Sequence, residues 1–523
     1  MGTADSAALI CGEKVWTYRQ LLAEIRQAEA GLRSLGVRAG ELVSVFSLNT
    51  PETVIAVYAL DRIGAVANFV DLKLGPTEVE PYLRRAGSRV ALVLEVAFRK
   101  VYRNRGESPT ERFVVLPLAP YLPPALAEKL RTDTWQEQAG GDCLSWQAML
   151  RPPDETPPEE SRWEEAAVIV YTGGTTGPAK GVALSRRALD ASLRQYTEAK
   201  TEFGPGGTTV TLLPIFSAFG LCQTIHVPLC LGMTVVLAPM FRPDQLGELL
   251  LRYRPEQVAA TTSYWQLLLQ REEIGDLSFL KVPRSGGDAI QLELERRVNA
   301  FLADRGCPSP LVIEYGMSEV CGIVCLSYGP ERREGTVGRP LPGCRIVAVD
   351  PESGRLLPRG EQGELLILSP TVMNGYYNDP EADRQVLRPG PDGRLWIWTK
   401  DLGHVEEDGM VVVSGRIKRM ISRSGFKIFP SVIENCLLRS ALVETCAVVG
   451  VPGPGGENLP VAHVVLKPDV TPQEGEERLR TLCRRELNTF LQPAAYRFRN
   501  ALPLTERGKL DYLALEQDTT LSR

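Results

Sequence analysis

Val168-Ile169-Val170-Tyr171-Thr172-Gly173-Gly174-Thr175-Thr176-Gly177-Pro178-Ala179-Lys180-Gly181-Val182 is the stretch around which the rest of the chain can be ordered. Ala166 to Tyr171 is an apolar run of strand length. It breaks into Thr172-Gly173-Gly174-Thr175-Thr176-Gly177, and Lys180 follows. Glycines let backbone N–H groups turn toward one point, threonine hydroxyls add donors, and lysine adds positive charge. The segment therefore predicts a loop that wraps phosphate oxygens. It is not the nucleotide P-loop, which needs a second glycine five positions after the first and then Lys-Ser/Thr. Gly173 would need glycine at Pro178, and Gly174 would need it at Ala179. Taken alone, the segment also reads as a Gly/Thr surface loop after a buried strand.

A chain of 523 residues is too long for one core, so two or more domains are expected. Its 44% hydrophobic and 24% charged composition is ordinary for a globular protein, and its net charge of −5 argues against a nucleic-acid binder. An anionic substrate would have to be met by local positive groups. The 11 cysteines are scattered from Cys11 to Cys483, and the closest pair, Cys321 and Cys325, has no second pair to complete a zinc site. They read as reduced thiols of a cytoplasmic protein. His226, His404 and His463 are too dispersed to suggest a metal cluster. No apolar run reaches membrane-spanning length and no signal peptide is expected. Met1-Gly2-Thr3-Ala4-Asp5-Ser6 fits the loose myristoylation pattern at Gly2, a pattern often matched by chance.

Along the chain, Thr17-Tyr18-Arg19-Gln20 predicts a capping box opening a helix that Gly36 can end. Leu42 to Leu48 predicts a strand. A helix with Pro51 at its first position follows to about Ile63, then a strand from Gly64 to Val70. This alternation implies an α/β layered domain. Tyr121 to Glu160 is rich in proline and acidic residues, and Arg151 to Pro158 predicts an exposed loop. Ser185 can cap a helix to about Lys200. Glu406-Glu407-Asp408-Gly409 reads as a hairpin turn. Beyond Lys418 the pattern changes to a small α+β unit, with a helix capped by Ser431 and Glu434 and strands at Ala447 to Val451 and Val461 to Leu466.

The phosphate loop is similar to that of the adenylate-forming superfamily, which includes acyl- and aryl-CoA synthetases, peptide-synthetase adenylation domains and luciferases. Further stretches carry the resemblance in the family's order, from about Thr17 to Leu513. They are Ser285-Gly286-Gly287-Asp288-Ala289, Tyr315-Gly316-Met317-Ser318-Glu319, Gly335 to Pro340, Met373 to Tyr377, Trp398-Thr399-Lys400-Asp401-Leu402-Gly403, Ser414 to Arg419 and Leu502 to Asp511. The resemblance implies an α/β fold with a large multi-subdomain N-terminal domain of layered sheets and helices (residues 1–418). A small mobile α+β C-terminal domain (residues 419–523) would follow. It implies nucleotide binding by Thr172, Gly173, Gly174, Thr175, Thr176, Gly177 and Lys180, by Gly286, Gly287 and Asp288, and by Glu314, Tyr315, Gly316, Met317 and Ser318. Tyr315 would stack on adenine, and Ser318 would donate to a phosphate. Asp401 would hold the ribose hydroxyls near Arg416. Glu319 would hold Mg²⁺. Lys509 would be the catalytic lysine, with Glu319 and Thr175 counted among the catalytic groups. Lys418 would be the hinge, and Gly425 would line a thiol channel.

The implied reaction joins a carboxylic acid to ATP as an acyl-AMP and then to CoA as a thioester. Phe216, Ser217, Phe219, Tyr264 and Trp265 are the candidate acid pocket. Many acid–CoA ligases of the family have histidine where Ser217 stands, and amino-acid-activating domains have Phe-Asp. Phe216-Ser217 has neither, which argues against an α-amino acid substrate. Lys400 replaces the family's glycine. Two other readings stay open: a ligase loading a separate carrier protein, and a binding protein that has lost catalysis. The second is motivated by Ser217 and Lys400 and opposed by intact Lys509, Glu319 and Asp401. The chain ends at Arg523 with no carrier segment after Lys509, which favours free CoA as the expected acceptor.

Overall fold

The computed structural model describes residues 4–518 apart from 132–134, 138, 154–162, 173–178, 200, 202–203, 424–425, 454–457 and 505–509. Among the described residues, two large sheets carry most of the chain. In the eight-stranded sheet, Leu42–Phe46 lies between Val66–Phe69 and Val90–Leu94, parallel to both. Parallel neighbours need crossovers, and helices supply them. The helix Pro51–Ile63 starts where Thr50 Oγ1 accepts the N–H of Thr53 and ends at Gly64, whose φ of 79° suits glycine. The expected capping box is present on the helix Tyr18–Ser34. Gln20 N–H donates to Thr17 Oγ1 (3.2 Å) and Thr17 N–H donates to Gln20 Oε1 (2.9 Å).

The proline-rich segment is more ordered than its composition predicts. Pro124–Arg131 is a helix, Cys143–Ser145 is an edge strand, and Ser145 caps the short helix Trp146–Met149. Buried Trp146 and Met149 join the core of the eight-stranded sheet, and this anchors the segment. Arg151, Pro152 and Pro153 are exposed as expected, and residues 154–158 lie outside the described residues.

The nine-stranded sheet runs Thr208–Thr211, Gln257–Ala260, Val282–Ser285 and Val312–Tyr315 side by side and parallel. Their carboxyl ends therefore open on one side, where ligand crevices form in such sheets. Phe216-Ser217, Gly286-Gly287 and Gly316 all follow these ends. A third, antiparallel sheet pairs Leu395–Val405 with Val411–Arg416 through the expected turn, with Gly409 at φ 89°.

Toward the C-terminus, Val443–Pro452, Asn458–Leu466 and Ala495–Phe498 form a three-stranded sheet. It packs with the helices Pro430–Leu438 and Pro472–Glu486 around its own core, which includes Ile433, Leu437, Val448, Val464 and Leu479. One expectation is corrected here. The first helix begins after Phe429, not at Ser431, because Pro430 takes the first helical position. Ser431 Oγ instead donates to the Ser414 carbonyl (2.6 Å), and the buried Glu434 accepts the N–H of Val448 (2.9 Å). Leu292 N–H donates to Asn435 Oδ1 (3.1 Å) and Arg297 to the Glu444 carbonyl (2.9 Å), so this unit docks on the helix Leu292–Asp304. No helix among the described residues is long and apolar enough to cross a membrane.

Candidate active site

Ala166–Tyr171 and Gly181–Ser185 pair antiparallel, with Tyr171 opposite Gly181. Thr172 N–H donates to the Lys180 carbonyl (2.9 Å), and Lys180 N–H donates to Thr172 Oγ1 (3.2 Å). These bonds close the base of the loop that holds Gly173, Gly174, Thr175, Thr176 and Gly177, which lie outside the described residues. Lys180 Nζ stands 4.9 Å from the centre of the Tyr376 ring, and Tyr376 Oη donates to Glu319 Oε1 (2.7 Å). The N–H of Met373 donates to the Glu319 carbonyl (2.9 Å), tying the Glu319 turn to the short strand Gly375–Tyr376 beside the loop. A cation and a carboxylate thus share one aromatic ring beside the base of the loop. Burial, and next the Glu319 charge, hold the Tyr376 hydroxyl well above its ordinary range, so it remains a donor.

Asp401 is buried and doubly engaged. Tyr315 Oη donates to its Oδ2 (2.9 Å) and Arg416 Nε to its Oδ1 (2.9 Å). The Asp401 charge is the largest cause raising the Arg416 pKa. Burial keeps the Tyr315 hydroxyl protonated. The three residues come from two strands of the third sheet and one of the nine-stranded sheet, so this network joins the two layers. Lys400 is exposed with φ 60°, at a register shift where strand Leu395–Val405 passes Gly363–Leu368. Its N–H donates to Glu364 Oε1 (2.9 Å). Glycine adopts this conformation freely and a lysine does not. Lys400→Gly should therefore raise stability by about 0.5–1 kcal/mol, the relief of left-handed strain less glycine's extra entropy when unfolded. Urea unfolding of both proteins measures this, and a less stable variant refutes it.

Ser217 is a structural cap. Its Oγ donates to the Pro214 carbonyl (2.7 Å) and accepts the N–H of Gly220 (3.0 Å) at the start of the π-helix Phe219–His226. A Cβ on Gly286 would lie 2.9 Å from the Phe219 ring, so glycine is needed for the close approach. Gly287 has φ 82°. Phe216 is buried in the main core.

Two pocket expectations are corrected. Tyr264 and Trp265 lie in the hydrophobic core on the helix Thr262–Leu268, and Trp265 Nε1 donates to the Arg284 carbonyl (3.0 Å). Helical spacing turned both rings inward. Glu314, expected at the nucleotide, forms a buried ion pair with Arg284 (3.1 Å). Strand alternation puts its neighbour Tyr315 on the other face. Ser318 and Glu319 lie on a short 3₁₀ turn after Met317, and Asp288 is half-buried beside Gly287. Lys418 lies in the turn Ile417–Arg419, between Arg416, which bonds Asp401, and Arg419, 3.9 Å from Glu434. Gly425 and Lys509 lie outside the described residues. Sequence reasoning missed Arg284, although a charged residue in the short strand Val282–Ser285 was a visible anomaly. It also gave Tyr376 no role beyond packing.

The model of the AMP-binding enzyme family matches residues 1–377, and that of the AMP-binding enzyme C-terminal domain matches residues 432–509. A long-chain-fatty-acid–CoA ligase of Bacillus subtilis (strain 168) is 27% identical, covering 98% of this chain and 92% of its own. The 4-coumarate–CoA ligase 2 of Oryza sativa subsp. japonica is 26% identical, covering 97% of this chain and 88% of its own. The crystal structure of the anthranilate CoA ligase AuaEII with anthranoyl-AMP has the same fold, with a TM-score of 0.84 at 24% identity over 98% of this chain and 94% of that one. With family models matched across both its large N-terminal part and its C-terminal part, this chain belongs to the AMP-binding enzymes.

Proposed function

We propose that this protein is an acid–thiol ligase, which activates a carboxylic acid with ATP as an acyl-AMP and passes the acyl group to CoA. The observation that carries the reading is the convergence of Lys180, Tyr376 and Glu319 beside the base of the glycine-threonine loop. The similarity to two proteins named as acid–CoA ligases supports it.

In this reading Thr172, Lys180 and residues 173–177 hold the phosphates, Gly286, Gly287, Gly316, Met317 and Ser318 line the nucleotide, and Asp401 accepts from the ribose. Glu319 would hold Mg²⁺, which supplies charge neutralisation between phosphates. No group of three or more acidic, histidine or cysteine side chains placed to hold a metal ion stands among the described residues. A lone carboxylate fits a metal whose other ligands are phosphate and water. Lys509 neutralises charge on the α-phosphate and attacking carboxylate. The boundary lies at Lys418 and Arg419. Rotation there brings Gly425 toward the thiol, where glycine leaves room for a thin pantetheine arm.

Phe216-Ser217 offers no anion for a substrate ammonium, whose burial unpaired is costly. Pyrophosphate release should therefore be higher with simple carboxylic acids than with the matching α-amino acids. An α-amino acid turned over fastest refutes this assignment. Consumption of the adenylate by millimolar CoA, measured against holo carrier proteins, tests the acceptor. Turnover by a carrier alone would overturn CoA.

A further inference from the structure

Arg284 and Glu314 form an ion pair at 3.1 Å with side chains 1% and 0% exposed. Around it, Arg284 also donates to Tyr196 Oη (3.0 Å) and to the Gln223 carbonyl (3.1 Å). Gln223 Nε2 donates to Ser192 Oγ (2.9 Å) and the Cys321 carbonyl (2.7 Å). The buried atoms of this cluster that bond to nothing among the described residues include Glu314 Oε2, Gln223 Oε1 and Ser285 Oγ. Such atoms are expensive to leave unmet.

The cluster lies directly against Gly286 of the glycine-rich stretch. At Gly286 a Cβ would meet the Phe219 ring at 2.9 Å on one side and Glu314 Cβ at 3.2 Å on the other. Gln223 follows Phe219 on the same π-helix, and a Cβ on Gly322 would meet its side chain at 2.8 Å. A Cβ on Gly316 would in turn lie 2.1 Å from the Gly322 carbonyl. Phe219, Gly286, Gln223, Gly322 and Gly316 thus form one continuous wall, and the polar cluster closes it.

We infer that Glu314 and Gln223, held by Arg284, are specificity-determining residues of the acid pocket. They accept hydrogen bonds from an O–H or N–H donor at the far end of a compact carboxylic acid. This rests on the ligase reading above and narrows its substrate class. The spare oxygens of a carboxylate and of a primary amide are acceptors, so the matching ligand group is a donor. A methyl group or long alkyl chain placed there leaves them unmet, and sites built to bond a hydroxyl reject analogues lacking it by large factors.

The test compares 3-(4-hydroxyphenyl)propanoic acid, its 4-methyl isostere and dodecanoic acid as substrates of the full chain, reading kcat/KM for pyrophosphate release. The hydroxy acid should exceed the methyl acid by about a hundredfold. A ratio of tenfold or more supports the inference, and a smaller ratio, or dodecanoic acid as the best substrate, overturns it. In the double variant Arg284→Met, Glu314→Leu the ratio should collapse to about threefold or less, because a buried ion pair exchanged for apolar side chains can leave the fold intact. If thermal melting shows that this variant is unfolded, Glu314→Gln replaces it, and an unchanged ratio in the folded variant overturns the inference. Robust turnover without discrimination overturns this inference alone. Failure of every acid to release pyrophosphate overturns the ligase reading and this inference with it.

Discussion

Lys509→Ala is expected to slow acyl-AMP formation by roughly a hundredfold or more while ATP binding stays close to normal. The C-terminal family model ends at this residue. On either side of residues 505–509, Leu504 pairs with Leu510, and Asp511 N–H donates to the Pro503 carbonyl (2.9 Å). These contacts close a hairpin-like base on either side of residues 505–509. In the proposed reading Lys509 contributes charge to the transition state, so the loss should fall on rate. ATP–pyrophosphate exchange measures the rate, and titration calorimetry with ATP measures binding. Near-normal exchange in the variant would remove Lys509 from catalysis.

Gly316→Ala should cost about 1–3 kcal/mol of stability and reduce adenylation by more than the lost folded protein explains. The added Cβ would lie 2.1 Å from the Gly322 carbonyl and 2.6 Å from Ile323 Cα, both backbone atoms that no rotamer change can clear. Relief must come from movement of the turn 318–321 that carries Glu319, because Gly322 N–H and Met317 C=O are bonded across it. Gly275→Ala is the control, since a Cβ there meets nothing within 4 Å. Unfolding curves and exchange rates of both variants decide the matter. Equal behaviour of the two variants would show that the turn adapts without cost.

Much of this architecture could be read from local signals. Thr17 and Gln20, Thr50 with Pro51, and Ser185 marked helix starts because capping depends on residues three apart in the chain. The strand pair Ala166–Tyr171 and Gly181–Ser185 that brackets the glycine-threonine segment frames it on both sides. Ser431 and Glu434 show where such reasoning fails, since one intervening proline moved the helix start and tertiary partners took both side chains.

Residue types and their order also carried the family, since the motifs occur in sequence along the chain. Which face each side chain takes was settled elsewhere. Glu314 and Tyr315 are adjacent, yet one enters a core ion pair and the other reaches Asp401, because strand pleating sends neighbours to opposite faces. Tyr264 and Trp265 read as pocket walls until the helix Thr262–Leu268 packed them inward. The Arg284, Glu314 and Gln223 cluster unites residues from three separate elements, and no local pattern encodes such a meeting. Burial there removes water as a partner, so the pairing of these groups depends on three-dimensional packing alone.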